Sequence, residues 1–466
     1  MGEILGFYAM PHPPIIIPEI GKGEEKKIKN TTEACNKIAE EIALLQPDTI
    51  VIVTPHGTMF SDAIAISYEK SISGSLSNFG APQIHMDLEI DTLLTEKIIE
   101  SAKTYNIPVV ALNERLLKSY NVEYTLDHGV LVPLYFLRKK LSKFKLVHIT
   151  YSMLSDIELY KFGIAINNAL KESSTNSVFI ASGDLSHKLK EEGPYNYSPY
   201  GEKFDKEIIG FLRDGDILGV FNIDENTVEN AGECGLRSYY IMLGAMNGYK
   251  IKGELLSYEG TFGVGYGVMR FDLEKSTEDT LTQLIDAKKE RYKNRLKNED
   301  SYVRLARESL TYYITNGNYI DIPDYVPDEM KRSSRGVFVS LKKFGNLRGC
   351  IGTVFPVTNS LAEEIIRNAV EAGEQDPRFD PVEESELEDI HFSVDVLTEP
   401  IPATREELDP KKYGVIVNTG RKSGLLLPDL EGVDTIEEQL NIVLSKAGIN
   451  AREKYSIEKF EVIRHK

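Results

Sequence analysis

Cysteine is nearly absent from this 466-residue chain: Cys35, Cys234 and Cys350 are the only three, far apart and odd in number. That excludes a disulfide framework and a paired CxxC zinc site, and it fits a reducing cytoplasm. Long apolar runs are missing as well. No stretch reaches the roughly 18 residues that a membrane span needs. The chain does not open on a basic stretch followed by an apolar core, so no secretory leader is expected. Myristoylation is not expected either, because Gly6 stands where a Ser or Thr is needed. Positive charge is in deficit: 54 Lys and Arg face 72 Asp and Glu, a net −18, which argues against nucleic acid as a partner.

The length suits two domains. ILGFYAM (4–10) reads as a short buried strand, and DTIVIVTP (48–55) as a continuous apolar strand running into Pro55. IPVVAL (107–112), FKLVHIT (144–150) and SVFIAS (177–182) repeat that pattern. Helical spacing lies between them. NTTEACNKIAEEIALLQ (30–46) aligns Ile38, Ile42 and Leu45, with Thr31 or Thr32 as N-cap. GVLVPLYFLRKKL and ELYKFGIAINNALKES follow. Alternating strands and helices predict an α/β domain with a mostly parallel central sheet. KIKGELLSYEG and VGYGVMRFDL read as its closing strands. FGVGYG (262–267) has the look of a phosphate loop, but no helix opens after it, so a strand with close-packed glycines is the better reading.

After Leu273 the chain turns charged and helix-favouring, in KSTEDTLTQLIDAKKERYKNRLKNED. The expected domains are therefore 1–274 and 275–466, the second a smaller α+β unit. Its helices are expected in VRLARESLTYYIT, LAEEIIRNAVEAG and TIEEQLNIVLSKAG, and a strand pair around a turn in RGVFVSLKKFGNLRGCIG.

Chemistry is concentrated in the histidines of the first domain. His12 lies among Pro11, Pro13 and Pro14, on stiff backbone just past a strand. His56 follows TIVIVTP, His128 sits in LDHGVLVPL, and His187 lies a few residues past SVFIAS. Ligands of open α/β sheets bind beyond the carboxyl ends of strands, so these four histidines predict one metal-centred pocket. His148, inside FKLVHIT, reads as a packed, hydrogen-bonded residue, and His85 as a loop or edge-strand residue. A third ligand is expected from ENAGECGLRSYYIMLGAM (229–246). Glu233 would complete two histidines and one carboxylate, a set that suits Fe(II). Cys234 would favour zinc or copper instead.

Taken in order, PHPPIIIPEIG, TIVIVTPHG, LDHGVLVPL, SGDLSH and YEGTFGVGYG resemble the class III extradiol dioxygenases over residues 1–272. The nearest type is the catalytic subunit of protocatechuate 4,5-dioxygenase, and the Memo proteins are a more distant likeness. The resemblance implies His12, His56 and Glu233 as metal ligands, with Cys234 the alternative that Memo-type members suggest. It implies His187 as an acid–base residue that is not a ligand, and His128 as a pocket histidine meeting substrate or dioxygen. The implied cofactor is Fe(II), with zinc or copper as alternatives. The implied substrates are a small catechol-like aromatic and dioxygen; the alternatives are a Memo-like metal-binding protein without ring cleavage and a non-catalytic interaction scaffold.

NLRGCIGTV (346–354), DPRFDPV (376–382) and HFSVDVLTEPIP (391–402) resemble the AMMECR family over about 280–466. Gly349 and Gly352 then shape a strand-end turn, or Arg348 and Cys350 form a surface site with Cys350 as nucleophile. The fusion is similar to the AmmeMemoRadiSam arrangement, which implies a radical-SAM protein as partner. The chain itself has no CxxxCxxC for an iron–sulfur cluster.

Overall fold

The computed structural model describes residues 1–430 and 432–466. They divide into two compact units, 1–289 and 290–466. The division falls inside the helix Thr280–Asn298, whose Leu284 is buried in the core of the first unit. Among the described residues no helix is long and apolar enough to cross a membrane.

The first unit contains ten strands: β1 (Ile4–Met10), β2 (Thr49–Thr54), β3 (Ile64–Ser67), β4 (Ser71–Leu76), β5 (Ala81–Glu89), β6 (Val109–Leu112), β7 (Lys145–Thr150), β8 (Ser177–Ser182), β9 (Tyr249–Glu259) and β10 (Tyr266–Lys275). Eight of them form one sheet in the order β6-β3-β7-β2-β8-β1-β10-β9. Its middle, β7-β2-β8-β1, is parallel, and the hairpin β9–β10 closes one side antiparallel. Parallel strands are covered on both faces, which is why β2 and β8 are apolar without alternation. Val51 and Val53 face one core layer with Phe179 and Ala181, packed on the helices Asp156–Lys171 and Leu236–Ala245. Ile50 and Ile52 face the other with Val178 and Ile180, under the helices Lys29–Leu45 and His128–Arg138.

Two local expectations change. The helix 29–45 starts before Thr31 and Thr32, with no side-chain cap. Thr31 instead gives its hydroxyl proton to Glu259 at 2.6 Å, tying the helix to β9. Strands β3 and β4 were not foreseen, because β3 is four residues long and SISGSL carries three serines and a glycine. The paired β4 and β5 stand apart as a two-stranded sheet, and His85 is an exposed residue of β5. FGVGYG runs from a turn into β10, with no helix after it.

The second unit has two antiparallel sheets. β11 (Val337–Lys343), β12 (Asn346–Thr353), β13 (Ile390–Leu397) and β18 (Val462–His465) form one. The helices Ser301–Asn316 and Leu361–Glu374 share a core with it. β14 (Ile401–Pro402), β15 (Gly414–Asn418), β16 (Ser423–Leu426) and β17 (Ser456–Phe460) form the other, beside the helix Ile436–Ala447. Thr435 and Glu438 close a capping box at that helix, satisfying amides its first turn would leave bare.

Candidate metal centre and catalytic pocket

Strands β1, β2 and β8 are neighbours, run parallel, and end level: Met10 pairs with Ser182, and Val53 with Ala181. Two residues beyond each end stands a polar side chain: His12 after Met10, His56 after Thr54, Asp184 after Ser182. The shared offset places all three at the carboxyl edge of the sheet, where such folds bind ligands. The proline run ends β1 and turns into a short 3-10 helix, Pro14–Ile16. The amide of His12 donates to Asp184 Oδ1 at 2.9 Å, so this backbone is held from the next strand.

His12 is buried, 2% exposed. Its Nδ1 lies 2.9 Å from Ser182 Oγ. The Ser182 hydroxyl gives its proton to the Gly129 carbonyl at 2.5 Å, so it accepts from the histidine. This fixes the proton on Nδ1 and leaves the Nε2 lone pair facing the pocket. His56 Nε2 lies 3.0 Å from that atom. His128, the first residue of its helix, stacks on His56 with ring centroids 4.2 Å apart. Gly129 lets the helix start this close: a Cβ there would sit 2.3 Å from Thr54 Oγ1. One ring nitrogen from each of His12, His56 and His128 lies within 4.8 Å of the other two, a set that could hold a metal ion.

The surroundings keep the three rings uncharged. Burial, and after it the neighbouring imidazoles, lower the pKa of His12 well below the ordinary histidine value and that of His128 to about 3. Burial lowers His56 as well. Three neutral imidazoles are lone-pair donors, as a metal requires. Beneath them Asp127 accepts from the Thr54 hydroxyl at 2.6 Å and from His148 Nε2 at 3.2 Å. Burial alone would raise this carboxyl, but those bonds and His128 outweigh it and hold it at about 2. His148 is buried, with Nδ1 on Ser67. Imidazole donors suit iron, zinc and copper alike, so the set fits a transition metal. Ser182→Ala is expected to weaken metal binding about 10–100-fold without altering the fold, since it removes the bond that orients His12. Titration against a competing chelator measures this.

Glu233 and Cys234 lie in the turn before the helix Leu236–Ala245. Gly183 and Gly235 meet there, and a Cβ on Gly183 would fall 2.1 Å from Gly235 Cα. The two candidate ligands face different ways. The Glu233 carboxylate accepts from the Leu236 amide at 2.6 Å, at the head of the helix. Burial raises its pKa to about 7. Cys234 Sγ lies 3.6 Å from His12 Nε2 and accepts from the Asp184 amide at 3.3 Å. Burial, then Asp184, raises the thiol well above its ordinary value. The structure therefore brings Cys234, not Glu233, to His12, and gathers His128 with the two histidines. Physically, an acidic side chain three residues ahead of a helix can cap it, and here it does.

His187 stands beside this group. Its amide bonds to the Ala231 carbonyl, and its ring stacks on Tyr195 at 5.3 Å. Burial lowers its pKa, partly opposed by Asp184. Burial likewise raises Asp184, to about 6, against His12, His187 and His56. Asp184 and Asp127 were missed as site residues, although both stand in the quoted motifs SGDLSH and LDHG. The shared offset from the strand ends would have found Asp184.

In the second unit, Arg348 is engaged. Its guanidinium meets both oxygens of Glu386, at 3.1 and 2.8 Å, and the carbonyls of Asp380 and Pro381. Cys350 is half-buried on β12, where Ser340 Oγ donates to its thiol at 3.2 Å. Its amide is held by Asp376, which pairs with Arg378. LRGCIG and DPRFD thus meet in space, and His391 pairs with Arg295. Burial would raise the Glu386 carboxyl, but Arg348, the Glu383 amide and Lys343 bring it to about 2. Arg348→Ala is expected to cost the second unit about 2 kcal/mol, between a surface and a buried ion pair. A depressed carboxyl stabilises above its unfolded pKa. The loss should therefore be full above about pH 4.5 and shrink as pH falls towards 2, in urea melts followed by circular dichroism.

The comparisons with known proteins agree with this division. The family described as the catalytic LigB subunit of aromatic ring-opening dioxygenase matches residues 6–269, and the AMMECR1 family matches residues 303–465. Protein CA_C1420 of Clostridium acetobutylicum is 60% identical over 462 residues, covering 99% of both chains. A Thermotoga maritima protein is 49% identical over 171 residues, covering 36% of this chain and 98% of its own length. The crystal structure of the uncharacterized protein PH0010 from Pyrococcus horikoshii is 33% identical, covering 35% of this chain and 88% of that one, with a TM-score of 0.33.

Proposed function

Since the chain belongs to the family of the catalytic LigB subunit of aromatic ring-opening dioxygenase, with an AMMECR1 domain fused behind, we propose that its first domain is a non-haem Fe(II) extradiol-type dioxygenase acting on a catechol-like substrate. One observation carries this reading: the ring nitrogens of His12, His56 and His128 converge at the carboxyl edge of the parallel sheet, with His187 beside them. His12, His56 and His128 would hold the ion. Ferrous iron, when bound, would supply one centre at which a substrate oxygen and dioxygen meet.

The chain's own groups do the rest. His187 is uncharged at neutral pH, because its pKa is lowered. It is therefore free to take a hydroxyl proton from the substrate and to return it later. Asp184, whose charge opposes that lowering, steadies the imidazolium so formed. Ser182 and Asp184 keep His12 in place during turnover.

The test is anaerobic purification, elemental analysis, and an oxygen electrode with catechol and protocatechuate. About one iron per chain and oxygen uptake with one of these are expected. Iron-loaded protein that consumes no oxygen with either would overturn the dioxygenase reading. Cys234, 3.6 Å from His12, favours a second reading: a zinc- or copper-binding protein without ring cleavage. Copurified zinc or copper would select it.

A further inference from the structure

Two aromatic rings that pack on the pocket histidines are exposed. Phe79 is 40% exposed and Tyr195 is 52% exposed. Each packs on a different pocket histidine. The Phe79 ring lies 5.2 Å from that of His128, tilted by 59°, and Tyr195 lies 5.3 Å from His187, nearly parallel at 20°. His128 in turn stacks on His56, which meets His12 edge-on at 4.7 Å. Rings therefore run in file from the exposed Phe79 to the buried His12.

Both rings are carried on pinned loops. Phe79 closes the short 3-10 helix Ser77–Phe79 between β4 and β5, and Gly80, at φ 77°, turns the chain sharply behind it. Tyr195 rides on residues 188–198, whose ends are joined by the bond from the Ser198 amide to the Lys188 carbonyl. The bond from the Leu189 amide to the Gly263 carbonyl anchors the same loop. A compact loop with tied ends presents its tip in a defined place.

We propose, on the basis of the function above, that Phe79 and Tyr195 are the ring-gripping side chains of this pocket. They select a flat unsaturated ring by its face and seat it beside His128 and His187. Aromatic faces attract one another in offset or tilted arrangements, and such contacts add to simple burial.

The probe is 4-nitrocatechol, whose binding is read by its absorbance under anaerobic conditions, with metal content measured on every sample. Phe79→Ala and Tyr195→Ala should each weaken binding about tenfold, and Tyr195→Phe should leave it unchanged because the ring remains. Metal content should match the wild type in all three. Alanine variants that bind the probe like the wild type, or a wild-type protein that does not bind it, would overturn the inference and leave the metal centre standing. Failure of the functional reading is separate: it appears as iron-loaded wild-type protein that consumes no oxygen with catechol or protocatechuate. The same variants are compared in that case too, where unchanged probe binding again overturns the ring grip.

Discussion

Replacement of His12 by alanine is expected to abolish stoichiometric metal binding while leaving the fold in place. His12 supplies the lone pair that the structure fixes most firmly, through Ser182 to the Gly129 carbonyl. Losing a residue that only orients a ligand costs about 10–100-fold in affinity, so losing the ligand itself should exceed that range. The fold should survive because the backbone bond from residue 12 to Asp184 needs no side chain. The Ser182 hydroxyl loses one partner but keeps Gly129, which limits the hydrogen-bond part of the stability cost to about 1 kcal/mol. Elemental analysis and far-ultraviolet circular dichroism of both proteins decide the matter. A variant that retains a full equivalent of metal would remove His12 from the centre.

The sequence carried most of the first domain because its strands are covered on both faces. Continuous apolar runs such as TIVIVT and SVFIAS have few other uses, and prolines and glycines mark where they stop. The histidines were legible for the same reason: a polar side chain just past such a run is placed by the strand itself. What the sequence hid was direction. Glu233 and Cys234 are adjacent, and only the turn between Gly232 and Gly235 decides which one meets His12. Nor could residue spacing reveal that Arg348 spends its guanidinium on Glu386, 38 positions away. The β4–β5 pair escaped notice because a half-polar hairpin has no strong apolar signature, yet it brings Phe79 to His128.

The second large effect separates the two histidines that lie outside the His12–His56 pair. His187→Ala should keep the metal and lose turnover by about 10²–10⁴-fold, the range for removing a positioned acid–base group. His128→Ala should instead lower metal affinity, because its ring nitrogen belongs to the converging set. The pH profile adds a check that a structural role would not produce. Burial lowers the His187 pKa below the ordinary 6.5, so the wild type keeps its base form, and its kcat/KM, at pH values where a free histidine would be half protonated. The acid limb should therefore lie below 6.5 in the wild type and be missing from the residual activity of His187→Ala. The stacked Tyr195 loses its partner in that variant, so His187→Phe is the companion: it keeps a ring for Tyr195 but cannot carry a proton. If His187→Phe turned over like the wild type, proton transfer would have to be assigned elsewhere, and Asp184, with a pKa near 6 beside the same pocket, would be the next group to test.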